Sequence, residues 1–286
     1  MKMRFLLPLA LAIVAAPAAS APIAASAPVS AKPFSSTRIS VTVQGGGPDV
    51  ILIHGLGGSR DVWKGTASAL PGFRYHLVQV AGFAGVAPGG NAQGSVVAPV
   101  AAEIMRYIAA RGLRRPALVG HSMGGTIATM VAARHPAAVG KLMVVDMLPQ
   151  PAGLVGSSPA GVRGLAEAMR NASATPGGRR LIESVIGMFG GEQARGSDTD
   201  VVARATHELA LLDLTAELPR IKAPMTIVYA SPDEARRASA DRLYASAYAG
   251  AQGAKLVRID DSGHMIMYDQ PVKFQAAFRK FLGGYR

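Results

Sequence analysis

The segment 120–124 reads Gly-His-Ser-Met-Gly, which places a serine between two glycines, each two positions away. This segment follows the apolar run 116–119 and opens a stretch of small residues. We therefore predict that Ser122 lies on a sharp turn between a strand and a helix, a nucleophile elbow. Glycines suit such a turn because bulkier side chains would collide with the strained serine backbone. The predicted chemistry is attack by the Ser122 hydroxyl on an acyl carbon.

A serine hydroxyl is a weak nucleophile until a neighbouring base accepts its proton. Among the six histidines, His264 follows the predicted strand 255–259 and precedes the last predicted helix. It therefore lies at the strand ends where Ser122 should emerge, and it comes after the serine in the chain, as in nucleophile-elbow enzymes. His121 is expected to point away from the adjacent serine, and His54 to anchor its own loop. We predict that His264 is the general base.

A carboxylate should accept the imidazole N–H of His264, because this contact fixes the tautomer and stabilises the imidazolium. Asp233 lies three residues beyond the predicted strand 225–230 and has the expected chain order. Asp146, the last residue of the predicted strand 141–146, is the rival. Both carboxylates can reach a histidine at the sheet edge, so the residues leave the choice open. Asp233 is the preferred third member.

A second glycine-rich segment, His-Gly-Leu-Gly-Gly at 54–58, directly follows the apolar run 50–53. Glycines in such a loop let backbone N–H groups turn toward a ligand. In nucleophile-elbow enzymes the oxyanion hole combines the N–H after the nucleophile with an N–H from this loop. The backbone N–H groups of Leu56 and Met123 are therefore the predicted oxyanion donors.

These groups need a scaffold that brings their loops to one edge. Short aliphatic runs alternate with longer helical stretches from residue 37 onward, and several runs are apolar at consecutive positions, which is typical of strands buried on both faces. The sequence thus predicts an α/β fold with a mostly parallel central sheet flanked by helices. The predicted strands are 38–43, 50–54, 75–80, 117–120, 141–146, 225–230 and 255–259, and the clearest helices are 96–110, 126–134 and 272–282.

One interval breaks this alternation. Residues 147–222 contain helical patches interrupted by glycine and proline, with no convincing core strand. We predict a helical cap inserted into a core formed by residues 34–146 and 223–286. Ligands of open α/β sheets bind outside the carboxyl ends of the strands, where such an insertion would cover the pocket.

The N-terminal region is typical of a secretory signal peptide. Lys2 and Arg4 precede the apolar stretch 5–16, and small residues, proline and serine follow. The apolar stretch is short for a bilayer-spanning helix. We assign residues 1–33 to a signal peptide and linker, and expect a periplasmic or secreted protein without stable membrane insertion after processing.

Composition narrows the function classes further. The chain has 286 residues, of which 49% are hydrophobic and 17% charged, enough apolar material for a sizeable core. Cysteine is absent, which excludes disulfides, thiolate nucleophiles and cysteine metal sites. The net charge is +12, but the positive residues are scattered and form no basic tract, so nucleic acid is not the expected partner. No metal and no organic cofactor are implied.

Together these motifs resemble the α/β-hydrolase superfamily, specifically its esterase-like serine hydrolases with a helical cap. The resemblance extends from about residue 37 to the C-terminus and rests on three ordered matches. These are 54–58 with Trp63 downstream, the Gly-His-Ser-Met-Gly-Gly segment 120–125, and Gly-His at 263–264 followed by Asp-Gln-Pro at 269–271.

Two positions depart from that family's pattern. The family usually has an aspartate and a glycine-rich turn after the third strand, whereas Gln-Val-Ala-Gly-Phe at 79–83 lacks the aspartate. The usual glycine before the acid-bearing loop is Ala230 here. Neither departure affects Ser122 or His264, but the second bears directly on the choice of the acid.

The predicted function is that of an exported serine hydrolase that cleaves carboxylic esters of a small-molecule acyl substrate through an acyl-enzyme intermediate. Ser122, His264 and Asp233 form the predicted triad. Amide or lactone hydrolysis, cofactor-free peroxidase chemistry and lyase chemistry are alternatives within the same fold. A catalytically silent binding protein that retains the pocket is the alternative from another class.

Overall fold

The structure, a computed structural model, describes residues 34–155, isolated positions between 161 and 171, and residues 174–180 and 195–285. The predicted signal peptide and much of the predicted cap lie outside these residues. Within the described part of the chain, no helix combines the length and apolar character that crossing a membrane requires.

A central seven-stranded sheet with the order β1-β3-β2-β4-β5-β6-β7 confirms the predicted α/β architecture. Strand β1 is antiparallel to β3, and every other neighbouring pair is parallel. All seven predicted strands are present with shifts of one or two residues at their ends. The strands are β1 Ile39–Gly45, β2 Asp49–Ile53, β3 Arg74–Val80, β4 Ala117–His121, β5 Lys141–Val145, β6 Met225–Ser231 and β7 Lys255–Asp260.

Helices cover both faces of this sheet. We number them α1 Lys64–Ala69, α2 Val97–Ala110, α3 Met123–Arg134, α4 Thr199–Leu211, α5 Glu234–Ala247, α6 Ile266–Asp269 and α7 Pro271–Leu282. Short 3₁₀ turns span Arg60–Trp63, Gly89–Asn91, Pro151–Val155 and Thr215–Arg220, and residues 176–180 are also helical.

The apolar runs form two cores because successive strand residues point to opposite faces of the sheet. On β2, Ile51 and Ile53 lie in one core, which α2 and α3 cover, while Val50 and Leu52 lie in the other. The second core contains Trp63 and aromatic residues of α7. Burial on both faces explains why this strand is apolar at consecutive positions.

Part of the predicted cap interval belongs to the packed body of the protein. Helix α4 contributes Val201 and Val202 to the first core. The Glu208 carboxylate of the same helix accepts hydrogen bonds of 2.8 Å from the backbone N–H groups at the start of α2, those of Val96, Val97 and Ala98. A carboxylate at a helix N-terminus satisfies unpaired donors and favours the helix dipole. The extent of the cap stays a prediction.

Candidate active site

Ser122 occupies the strained turn that the sequence predicts. It connects β4 to α3 with φ +53° and ψ −124°, a conformation that side chain-bearing residues rarely adopt. A Cβ at Gly120 would lie 2.0 Å from the carbonyl oxygen of Gly124, and one at Gly124 would lie 2.3 Å from that of Ile53. The two glycines are therefore required by close backbone contacts. Helix α3 begins at Met123, three residues earlier than predicted, because the elbow opens directly into it.

The loop 54–58 lies directly against Ser122. A Cβ at Gly55 would lie 3.1 Å from Ser122 Cβ, a tight contact that glycine avoids. The loop closes a turn in which the Gly58 N–H donates to the Gly55 carbonyl at 3.1 Å. Among the described residues, no acceptor takes the N–H of Leu56 or that of Met123. Both predicted oxyanion donors thus remain available beside Ser122.

His264 is hydrogen-bonded to Asp146, the rival candidate for the third position. The distance from His264 Nδ1 to Asp146 Oδ2 is 2.7 Å. Asp146 immediately follows β5 with φ +49°, and its N–H donates to the Val228 carbonyl on the neighbouring strand at 2.8 Å. This backbone turn directs the Asp146 side chain toward the carboxyl ends of the strands, where His264 lies.

The Asp146 carboxylate is buried but well supplied with donors. Its Oδ1 accepts hydrogen bonds from the Ala230 N–H at 3.0 Å and from the Tyr244 hydroxyl at 2.9 Å. Burial alone would raise the pKa of Asp146, but the hydrogen bond and charge of His264, with the bonds from Ala230 and Tyr244, hold that pKa below its ordinary value. Asp146 is therefore ionised at neutral pH and holds the proton of His264 on Nδ1.

Asp233, the preferred third member of the predicted triad, lies at the start of α5, and the carboxylate hydrogen-bonded to His264 is that of Asp146 instead. Asp233 is exposed and caps α5, accepting a hydrogen bond of 3.0 Å from the Arg236 N–H. It also forms an ion pair of 3.4 Å with the Arg236 side chain. The chain turns into a helix immediately after β6, so the Asp233 side chain satisfies the helix terminus and is not directed at the histidine.

A second histidine supports the His264 loop. His121 Nε2 lies 2.9 Å from the His264 carbonyl oxygen, and because a carbonyl only accepts, Nε2 carries the proton. The two imidazole rings are 4.6 Å apart. Burial and the nearby His264 lower the pKa of His121 to about 3, which keeps this ring uncharged. Sequence reasoning missed this contact because nothing local links positions 121 and 264.

His54 anchors its loop, as predicted. Its Nδ1 donates to the Gly55 carbonyl at 2.8 Å, and its Nε2 accepts the Val80 N–H at 3.1 Å. These two contacts require a neutral ring, and burial lowers the pKa of His54 to about 4. The imidazole thus joins the glycine-rich loop to the end of β3.

Gln79 explains the departure from the family pattern after the third strand. Its Oε1 accepts the Arg60 N–H at 3.0 Å, and its Nε2 donates to the carbonyls of Gly58 and Phe83 at 3.4 Å each. The buried amide therefore bridges the loop after β2 and the loop after β3. It does so with both donor and acceptor groups, which an aspartate could not supply.

The two buried neutral histidines make the stability of the protein sensitive to acid. In the unfolded chain a histidine binds a proton below about pH 6.5, whereas His54 and His121 resist protonation down to about pH 4 and about pH 3. Because the unfolded state binds more protons in this window, stability falls as pH falls. From pH 7 to pH 5 we expect the two residues to lower the free energy of unfolding by about 4 kcal/mol.

Urea denaturation at the two pH values measures this loss. An unfolding free energy that does not change between pH 7 and pH 5 would contradict the neutral state of the two rings.

Comparison with known proteins places these features in a family. A sequence profile described as the alpha/beta hydrolase family matches residues 50–277. The pimeloyl-[acyl-carrier protein] methyl ester esterase of Vibrio atlanticus (strain LGP32) is 30% identical over 215 residues, covering 67% of this chain and 78% of the relative. The protein of the same name from Aeromonas hydrophila is 35% identical over 112 residues, 39% of this chain and 42% of the relative.

Solved structures share the fold at lower sequence identity. The enol-lactonase of Burkholderia xenovorans LB400 superimposes with a TM-score of 0.69 at 19% identity, covering 85% of this chain and 96% of the other. A thermophilic esterase of Thermogutta terrifontis gives a TM-score of 0.68 at 22% identity, covering 85% and 92%. The esterases among the sequence relatives support ester hydrolysis in general. The chain belongs to the alpha/beta hydrolase family.

Proposed function

We propose that the protein is an exported serine hydrolase that cleaves carboxylic esters through an acyl-enzyme intermediate. The observation that carries this proposal is the 2.7 Å contact between His264 and an ionised Asp146. It lies at the carboxyl ends of the strands, where the elbow also presents Ser122. In this proposal Asp146 takes the place that the residue pattern alone had favoured for Asp233.

The hydrogen bond to Asp146 determines which nitrogen of His264 acts as base. With its proton held on Nδ1, the imidazole offers the lone pair of Nε2. Transfer of the Ser122 proton to Nε2 creates an imidazolium, whose positive charge the Asp146 carboxylate stabilises. His121 stays neutral beside this ring and therefore adds no positive charge that would repel the imidazolium.

The chemical steps follow from these positions. Ser122 Oγ bonds to the ester carbonyl carbon while His264 takes the hydroxyl proton, and the N–H groups of Leu56 and Met123 stabilise the oxyanion. Collapse of this intermediate breaks the bond to the alcohol, which leaves with the proton from His264. Water then attacks the acyl-enzyme with His264 again as base, releasing the carboxylic acid and restoring Ser122.

Esters are favoured over the other substrates of this fold by the sequence relatives. The relatives from Vibrio and Aeromonas are named as esterases that act on a methyl ester. The structural likeness to an enol-lactonase bears on the fold alone. Hydrolysis of p-nitrophenyl acetate, butyrate and octanoate, compared with the matching p-nitroanilides and with simple lactones, tests this choice. We expect turnover of the esters; turnover confined to anilides or lactones, or of no substrate, would contradict it.

Export is part of the same proposal and rests on the N-terminal sequence. Lys2 and Arg4 before the apolar stretch 5–16 are typical of a segment that directs secretion. Expressed in a Gram-negative host, the full chain should accumulate in the periplasm or medium, with an intact mass reduced by removal of up to about 33 residues. A matched chain with Lys2→Glu and Arg4→Glu should be retained in the cytoplasm. An unprocessed mass in the cytoplasm for both chains would contradict export.

A further inference from the structure

Ser197 connects the interval between β5 and β6 to the loop that carries a predicted oxyanion donor. Its hydroxyl donates to the Gly57 carbonyl at 3.0 Å and accepts the Ala84 N–H at 3.0 Å. Gly57 is the residue after Leu56, and Ala84 lies in the loop after β3. One side chain thus joins three segments, and it comes from 140 residues downstream of Gly57.

The backbone around Ser197 is held on both sides. The Gly196 carbonyl accepts the Gly85 N–H at 3.2 Å, and the Asp198 N–H donates to the Gly82 carbonyl at 2.8 Å. The Asp198 side chain in turn caps α4, which packs into the core. The position of the Ser197 hydroxyl is therefore fixed by a helix terminus and two backbone bonds, so the hydroxyl can restrain the loop that it contacts.

The carbonyl groups of the glycine-rich loop show where this restraint acts. The Gly55 carbonyl is bonded within the turn and by His54, and the Gly58 carbonyl by Gln79. The Gly57 carbonyl is held by Ser197. The Leu56 N–H, between these fixed points, has no acceptor among the described residues and remains available for a ligand.

We propose that Ser197 is a positioning residue for the oxyanion hole. By holding the Gly57 carbonyl, it keeps the preceding Leu56 N–H aimed at the oxygen that gains charge in the transition state. The inference rests on the proposed serine hydrolase function. Loss of the hydroxyl would leave the Gly57 carbonyl and the Ala84 N–H without their hydrogen-bond partner. The loop 54–58 would then shift so that these groups find other partners. A displacement of about 1 Å in a catalytic group can cost up to about a hundredfold in rate.

The variant Ser197→Ala tests this proposal with a substrate pair that reports on the oxyanion. A thionoester places sulfur, a weaker hydrogen-bond acceptor, where the oxygen ester places its carbonyl oxygen, so the ratio of kcat/KM for the two substrates reflects donation by the hole. We expect kcat for the oxygen ester to fall roughly tenfold, KM to change less than about twofold, and the preference for oxygen over sulfur to fall by a similar factor to kcat.

Two variants complete the experiment. Ser197→Thr keeps the hydroxyl and should retain the wild-type preference for oxygen. Ser239→Ala removes a hydroxyl on α5 whose single hydrogen bond within the described part of the chain is to the Arg236 carbonyl of its own helix, and it should change neither rate nor preference. Thermal unfolding of each variant shows that the compared proteins are folded.

An unchanged oxygen preference in Ser197→Ala, with or without a loss of rate, would overturn the proposal. So would a loss of preference in Ser239→Ala equal to that in Ser197→Ala. If the wild type hydrolyses esters normally, either result rejects the positioning role of Ser197 and leaves the proposed serine hydrolase function standing. Absence of ester hydrolysis by the wild type rejects the proposed function and this inference with it.

Discussion

Replacing Ser122 with alanine is expected to lower kcat for ester hydrolysis by about 10⁶-fold, to the level left by the oxyanion donors and substrate binding. The variant lacks the oxygen that forms the acyl-enzyme, and no cysteine exists to replace it. Alanine keeps the Cβ atom that serine carries at the strained φ of +53°, so the elbow should persist. Initial rates with p-nitrophenyl butyrate measure the effect, and thermal unfolding reports on the fold.

The matched control is Ser239→Ala, which removes one hydroxyl from α5. We expect wild-type rates from it. Ser122→Ala that retains a tenth or more of the wild-type kcat would show that another group attacks the ester, and the proposed mechanism would fail.

The exchange of Asp146 for asparagine should have the second largest effect, a loss of about 10³–10⁴-fold in kcat. An amide can present an N–H to His264, which favours the tautomer with its proton on the nitrogen that should act as base. It also removes the negative charge that stabilises the imidazolium. The KM should change little, because Asp146 contacts His264 and the residues behind it.

Asp233→Asn is the matched control, since it makes the same chemical change at the other candidate carboxylate. Asparagine caps helices about as well as aspartate, so α5 should remain stable and kcat should stay within about twofold of the wild type. Loss of activity in Asp233→Asn combined with normal activity in Asp146→Asn would instead assign the acid to Asp233. Rates of both variants at pH 7 decide between the two residues.

The sheet and the elbow around Ser122 could be predicted because their sequence signals are local. Consecutive apolar residues such as those at 50–53 are dictated by burial on both faces, and the structure confirms β2 there. Gly120 is required by its contact with Gly124 inside the elbow, whereas Gly124 is required by the Ile53 carbonyl at the end of β2. The apolar run and the Gly-x-Ser-x-Gly spacing are each visible within a few consecutive residues, so residue types and spacing carry the information even where the contact itself is long-range.

The choice of acid could not be settled from spacing, because Asp146 and Asp233 both follow strands that end at the same edge. The positive φ of Asp146, which directs it toward His264, could not be read from the residue type, because only a small share of aspartates adopt positive φ. One local signal bears on Asp233. Asp233 precedes an alanine- and arginine-rich segment, the pattern of a helix cap, and the structure places it at the start of α5.

The supporting contacts of the site join residues that are far apart in the chain. His121 and His264 are 143 positions apart, and Gly57 and Ser197 are 140 apart. Neither pair belongs to a periodic pattern, and histidine and serine are compatible with many environments. Only the tertiary arrangement of the loops at the carboxyl ends of the strands brings these side chains together.

Trapping the covalent intermediate tests the central claim most directly. The protein is incubated with a fluorophosphonate, digested, and the modified peptide is sequenced by mass spectrometry. We predict a single adduct on Ser122, formed much more slowly in Asp146→Asn and absent from Ser122→Ala. An adduct on a different residue, or no adduct in a wild-type protein that hydrolyses esters, would contradict the proposed mechanism.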